Sequence, residues 1–352
     1  MALTAKIQKR YGSFRLDVDF SAESGEVLAL LGTSGCGKSV TLKCIAGIER
    51  PDQGYIALDG RVLFDSEKGI DLPPQKRRVG YLFQQYALFP NMTVEQNISV
   101  CLGKLDKAQR KARTAELISM LRLEGTEKHL PRQLSGGQQQ RAALARILAS
   151  EPEMILLDEP FAALDSYLKW QLELELQDVL GRFDGPVIWV SHDRGEVYRN
   201  CEKVCVLDKG KSSPVTSLRE LMENPVTVSA ARISGCKNYV PVCPGPEAGY
   251  ISVPDWGLTL RCEAPWREGV TTLGIRANYV HPASTGEVNS FLCETVRITE
   301  DVFSMLVMLR PETASADAPL LRMELRKETW GPLPEKKQIL AAIRPHDLLL
   351  LE

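Results

Sequence analysis

The sequence predicts an α/β chain, with a parallel sheet carrying a phosphate-binding loop and a smaller all-β domain after it. Three observations lead there. Residues 32–41 read GTSGCGKSVT, in which Gly32, Gly37, Lys38 and Ser39 fit G-x-x-x-x-G-K-[ST]. Apolar runs at 154–157 and 187–190 each end in polar groups, as strands buried on both faces of a parallel sheet do. After about Arg232 the chain turns rich in Pro and Gly, with short strand-like runs.

In chain order, Phe14, Leu16, Val18 and Phe20 alternate on one strand face. Turn signals at Ser24-Gly25 and Asp59-Gly60 then mark a small β layer beside the loop. The apolar run at 26–31 has strand length and feeds the glycine loop, and a helix reads from Lys38 onward. Glycines let the chain turn so that successive N–H groups face one anion-sized concavity. Strand, loop and helix N-terminus together suit a phosphate. Lys38 then lies along the β- and γ-phosphates of a nucleotide, with the Ser39 hydroxyl on Mg²⁺. Cys36 sits in the loop beside Lys38 and a helix N-terminus, where thiolate is favoured. Alkylation there is expected to block ATP binding.

From Thr93 to about Ala149 the sequence is helical and polar, and Thr93 with Gln96 suits a capping box. The basic stretch GKLDKAQRKARTAE reads as a solvated helix face rather than an anion site. Asp158 ends one apolar run, as the carboxylate that holds Mg²⁺ beside such a loop does. Glu159 is a candidate general base for water, and His192, after the next run, a candidate partner of the γ-phosphate or that water. Taken alone, a carboxylate pair often caps a helix and a lone histidine is more often structural. Beside a phosphate loop, at strand ends where open α/β sheets bind ligands, the functional reading prevails. Further on, LGIRANYVHP (273–282) and AAIRPHDLLL (341–350) resemble each other, with Arg276 matching Arg344. Two similar halves or a chance likeness both remain open.

Composition narrows the function classes. A hydrophobic content of 44% and a charged content of 25% describe an ordinary globular chain. The net charge of −2 argues against a dedicated nucleic-acid binder. No apolar stretch approaches the ~18 residues of a membrane span. The N-terminus lacks the apolar core of a signal peptide, so a cytosolic location is expected. Nine cysteines without a C-x₂-C pair, and four scattered histidines, give no metal cluster; the thiols are expected to be reduced and mostly buried.

LSGGQQQR at 134–141 opens another helix, with Ser135, Gly136 and Gly137 offering N–H groups to an anion, but no lysine. Here the chain resembles the ATP-binding cassette family, whose identifying motif is LSGGQ. The resemblance covers residues 1–233 and implies a P-loop NTPase cassette: parallel core sheet, antiparallel β layer, and a helical subdomain at about 91–150. Tyr11 matches the aromatic that stacks on adenine. Gly32, Thr33, Ser34, Gly35, Cys36, Gly37, Lys38, Ser39 and Val40 match the Walker A segment. Gln84 matches the glutamine that reaches Mg²⁺ and water and relays to the membrane subunit. Asp158 and Glu159 match Walker B and its catalytic glutamate, Ala163-Leu164-Asp165 the D-loop, and His192 the switch histidine. Catalysis is thereby assigned to Glu159, His192 and Gln84, and Mg²⁺ to Ser39, Gln84 and Asp158. ATP contacts from the motif fall on Ser135, Gly136, Gly137 and Gln138, with Asp165. Val40 departs from the usual Thr or Ser, which forgoes one hydrogen bond worth about 0.5–1.5 kcal/mol. Ala162 replaces a common Ser with little expected consequence.

In this family the LSGGQ of one chain covers ATP on another, so the resemblance implies a head-to-tail homodimer. A single compact cassette without membrane helices, followed by a β domain at 234–352, resembles the ATPase of a bacterial importer. That domain looks like an oligonucleotide-binding-fold-like regulatory domain of TOBE or MOP type, without nucleic-acid binding being implied. The implied partners are integral-membrane permease subunits and, indirectly, a periplasmic or lipoprotein binding protein. The implied location is the inner face of the membrane. RVLFDSEKGIDLPPQKRRVGYLFQ and ARISGCKNY look most like the molybdate and sulfate branch, whose C-terminal domain can bind the oxyanion. Sugar, polyamine or ferric-iron import, and a soluble regulator without permease, are the alternatives.

Overall fold

The computed structural model describes residues 2–162, 166–284, 286–330 and 338–352. The chain divides into two compact units, Met1–Leu218 and Arg219–Glu352.

In the first unit, strands β1 (Leu3–Tyr11) and β2 (Phe14–Ala22) form a hairpin, and β3 (Val27–Leu31) leads into helix α1 (Lys38–Ala46). Then follow β4 (Gln53–Leu58), β5 (Arg61–Asp65), β6 (Ile70–Asp71), α2 (Pro74–Arg77) and β7 (Val79–Leu82). Helices α3 (Val94–Ser99), α4 (Lys107–Met120) and α5 (Gly136–Ala149) precede β8 (Met154–Asp158). The unit closes with α6 (Ser166–Leu180), β9 (Val187–Val190), α7 (Arg194–Asn200), β10 (Lys203–Asp208) and β11 (Lys211–Ser212).

Strands β10, β3, β9, β8 and β7 pair in that order, all parallel. Strands β2, β1, β4, β5 and β6 pair antiparallel, and β11 joins the two sets by pairing with both β10 and β2. Every residue of β8 and β9 is buried, which is why both read as unbroken apolar runs. In β2, Leu16, Val18 and Phe20 are buried while the residues between them are not. The core joins these layers through Ile7, Leu16, Leu30, Leu42, Ile56, Leu156 and Ile188. The helical stretch forms as its caps foretell. Thr93 and Gln96 make a reciprocal box at 2.8 and 3.3 Å. In α4 only Thr114, Leu117 and Ile118 are buried, which leaves the Lys and Arg of that stretch facing outward.

The second unit consists mainly of short antiparallel strands around one apolar core that includes Trp256, Leu309, Leu321 and Ile343, in keeping with the OB-like expectation. The Trp256 indole N–H reaches the Pro319 carbonyl at 2.8 Å. The two similar segments share one course: a strand, an arginine, a 3₁₀ turn (Ala277–Tyr279 or Pro345–Asp347), then a second strand. Thr272–Ile275 pairs with Leu349–Leu351, and His281–Pro282 with Gln338–Ala342. The first strand of each segment therefore pairs with the second strand of the other. This is the pattern of a two-fold repeat.

Candidate functional site

The site is built at one edge because parallel strands present their C-terminal ends together. The glycine loop follows β3, Gln84 follows β7, Asp158 ends β8, and His192 follows β9. Two glycines are sterically required. A Cβ on Gly32 would lie 2.3 Å from the Leu207 oxygen and 2.4 Å from the Cys36 Sγ. Gly37 has φ 112° and caps α1, and its Cβ would meet Leu16 at 2.4 Å.

Lys38 is almost fully buried and folds back on its own loop. Its ammonium donates to the carbonyls of Gly32 at 2.8 Å and Thr33 at 3.1 Å, and stands 3.8 Å from the Cys36 Sγ. Cys36 itself is only 3% exposed, so a reagent reaches its thiol only as the loop opens. Its side chain packs into the apolar core while its backbone stays in the loop. Cys101 and Cys243 are the exposed thiols, and no cysteine is bonded to another.

Ser39 donates its hydroxyl to Asp158 Oδ1 at 2.9 Å, although 119 residues separate them. Tyr81, on β7, donates to the other oxygen, Oδ2, at 2.9 Å. The carboxylate is itself 7% exposed. This pairing of a hydroxyl with a carboxylate suits Mg²⁺, a hard cation that takes one or two protein oxygens and completes its shell with water and phosphate.

Glu159 is the meeting point of the proposed chemistry. Its Oε2 lies 3.3 Å from the Gln84 Nε2 and 3.5 Å from the His192 Nδ1. Its backbone is left-handed at φ 50°, and its N–H donates to the Val190 carbonyl at 2.9 Å. A non-glycine residue held there costs on the order of 1–3 kcal/mol, and such strain clusters at functional positions. The ends of β8 and β9 are thus tied at the residue whose carboxylate faces the cavity.

That cavity, of about 810 Å³, is lined by Tyr11, Phe14, Ser34, Gly35, Gly37, Lys38, Ser39, Val40, Glu159 and His192. Tyr11 is partly exposed, with the Lys9 ammonium 5.4 Å from its ring centre. Burial and then Glu49 push its phenol up to about 12, so it stays neutral. Phe14 also lines a second cavity beside Thr33, Ser34, Gly35 and Cys36. Sequence patterning placed Phe14 in a strand face and missed its cavity position. Tyr81 was missed as well, since only strand register brings it beside Asp158.

Ser135 caps α5 with a reciprocal box: its hydroxyl accepts from the Gln138 N–H at 3.3 Å, and its own N–H donates to the Gln138 Oε1 at 2.9 Å. Ser135, Gly136, Gly137 and Gln138 are not among the residues lining the cavity at the glycine loop. Ala163-Leu164-Asp165 lies outside the described residues.

The family profile described as ABC transporter matches residues 16–162. The spermidine/putrescine import ATP-binding protein PotA of Methylococcus capsulatus is 39% identical over 271 residues, spanning 75% of this chain and 69% of that one. The chain belongs to the ABC transporter family. The molybdenum import ATP-binding protein ModC of Paramagnetospirillum magneticum is 41% identical over 63% of this chain and 61% of its own length. A solved ATP-binding cassette, dimeric in a post-hydrolysis state with ADP and phosphate, superposes with a TM-score of 0.53 at 30% identity. It covers 62% of this chain and 99% of that one. As a member of the ABC transporter family, the chain is an ATP-binding ATPase subunit. No helix among the described residues is long and apolar enough to cross a membrane.

Proposed function

We propose that this ABC ATPase powers uptake of an oxyanion, molybdate or its relatives sulfate and tungstate, through a membrane permease. The observation that carries the ATPase chemistry is the sharing of Glu159 Oε2 between Gln84 and His192, beside the Ser39–Asp158 pair. Tyr11 stacks on adenine and the N–H groups from Thr33 to Gly37 surround the phosphates. Lys38 leaves the Gly32 and Thr33 carbonyls to meet the β- and γ-phosphates. Ser39, Asp158 and Gln84 hold Mg²⁺, which when bound neutralises charge on the β- and γ-oxygens. Glu159 accepts a proton from the attacking water, which Gln84 and His192 hold in place.

Ser135, Gly136, Gly137 and Gln138 act on ATP held by a second copy, with Asp165 at the same seam. Two support points are the location of Ser135–Gln138 away from the cavity lining and the dimeric state of the solved cassette. Residues 1–233 form the nucleotide-binding domain and 234–352 the regulatory one; two compact units support the two-domain reading, although they divide at Leu218 and Arg219. The subunit then works at the inner face of the membrane, fed indirectly by a binding protein.

The oxyanion reading rests on the molybdenum-import relative and on the segments 61–84 and 231–239. Polyamine import is the second reading, favoured by the longer stretch shared with the spermidine/putrescine protein. Reconstitution with the permease decides between them. Uptake and ATPase stimulation by molybdate are expected; stimulation by spermidine alone transfers the assignment. An ATPase that never co-purifies with a membrane subunit favours a soluble regulator.

A further inference from the structure

The two oxygens of Asp158 accept from different elements, helix α1 and strand β7. Oδ1 takes the Ser39 hydroxyl and Oδ2 takes the Tyr81 phenol, each at 2.9 Å. The second bond follows from parallel register. Tyr81 on β7 stands opposite Leu156 on β8, and Asp158 lies two residues farther along on the same face. The Tyr81 ring is 8% exposed and stacks on Phe83 at 4.2 Å, which fixes where its hydroxyl points. A carboxylate with one donor can turn about its last torsion. A carboxylate with a donor on each oxygen, one of them from the buried Tyr81, has that torsion fixed before any ligand arrives.

We propose that Tyr81 is a positioning residue for the cation site: its hydroxyl locks the Asp158 carboxylate in the orientation that receives Mg²⁺. This rests on the reading of Asp158 as a Mg²⁺ residue. Tyr81 does not touch substrate. It holds a ligand's outer oxygen, the role in which loss of a partner typically weakens metal affinity. The phenol also fills space that water would otherwise take, so the exchange of Oδ2 between protein and solvent partners is suppressed.

The test uses the full chain and a readout independent of turnover. Tyr81→Phe keeps the ring, its burial and its stacking on Phe83 and removes only the hydroxyl. Mn²⁺ affinity of the protein–ATP complex is read by electron paramagnetic resonance, and ATP affinity without metal by a fluorescent analogue in EDTA. The expected result is Mn²⁺ binding weakened about tenfold with metal-free ATP affinity unchanged. Asp158→Asn is expected to lose Mn²⁺ binding in the same assay. Unchanged Mn²⁺ affinity in Tyr81→Phe, with loss in Asp158→Asn, overturns the role of Tyr81 and leaves the Asp158 reading intact. Normal Mn²⁺ binding in Asp158→Asn overturns both.

Discussion

The Arg146 guanidinium donates to the Ala87 carbonyl at 2.7 Å, so the helix that begins at Ser135 grips the loop that follows Gln84. It also reaches the Tyr86 carbonyl at 3.2 Å and stands 5.3 Å from the Phe89 ring centre. The gripped residues are unusual. Tyr86 and Ala87 are consecutive non-glycine residues at φ 58° and 47°, a left-handed geometry that needs outside support. Arg146 supplies it, and the LSGGQ helix and the glutamine loop are thereby mechanically joined.

Replacing Arg146 by Met is therefore expected to loosen 84–90 while α5 remains folded. Hydrogen exchange of those amides rises about tenfold, equivalent to roughly 1.4 kcal/mol. Unchanged exchange in that segment would show that the loop holds its geometry without the arginine.

Glu159→Gln keeps the shape of the side chain and removes its basicity. ATP turnover falls by about 10²–10⁴-fold, and ATP with Mg²⁺ is expected to leave the protein as a lasting dimer. Light scattering checks the mass. A variant that retains turnover removes Glu159 as the base.

Lys169, on α6, pairs with Asp193 at 2.5 Å and Glu196 at 2.9 Å, next to the turn that carries His192. Glu196 is 2% exposed and also accepts from the Trp189 indole at 2.7 Å. Lys169→Met leaves a buried carboxylate without its cation and is expected to cost about 3 kcal/mol at pH 7. Burial works against the charge on Asp193, but Lys169 and two backbone N–H groups outweigh it and hold its pKa below the usual value. The Asp193 share of this stabilisation is full above the unfolded-state value of about 3.9 and is lost as pH falls through the lower folded-state value. The melting-temperature gap between wild type and Lys169→Met should be constant from pH 5 to 7 and shrink below about pH 4. A gap that persists at pH 2 assigns the stabilisation to packing.

Alkylation should proceed in an order set by exposure. Cys101 and Cys243 label first, and Cys36, at 3% exposure, labels only as its loop opens. Peptide mass spectrometry follows the order, and bound ATP is expected to slow Cys36 further. Labelling of Cys36 at the rate of Cys243 would place the thiol in solvent. Full ATP binding after stoichiometric Cys36 labelling would remove the loop from the site.

Much of the cassette was legible along the chain because its groups are local. A phosphate loop must present consecutive N–H groups, so its glycines fall within a few residues of one another. Asp158 and His192 follow apolar runs because a ligand site at the edge of a parallel sheet lies beyond strand ends. The box at Ser135 and Gln138 is likewise a four-residue matter. The burial of Cys36 is not a local matter. Its position in the loop is local, but the fold buries its side chain in the apolar core. No sequence window carries that burial.

Local sequence specifies the phosphate loop, the strand-end carboxylates, the LSGGQ helix start and the change to a strand-rich C-terminal region. Each follows from residues within one turn or one strand. Only the folded chain brings Tyr81 to Asp158 and Arg146 to Tyr86 and Ala87. It also turned the likeness of 273–282 and 341–350 into a paired two-fold arrangement. The Arg146–Ala87 and Tyr81–Asp158 contacts depend on helix packing and strand register across 59 and 77 residues. A local pattern names the groups, and only long-range pairing says which of them face one another.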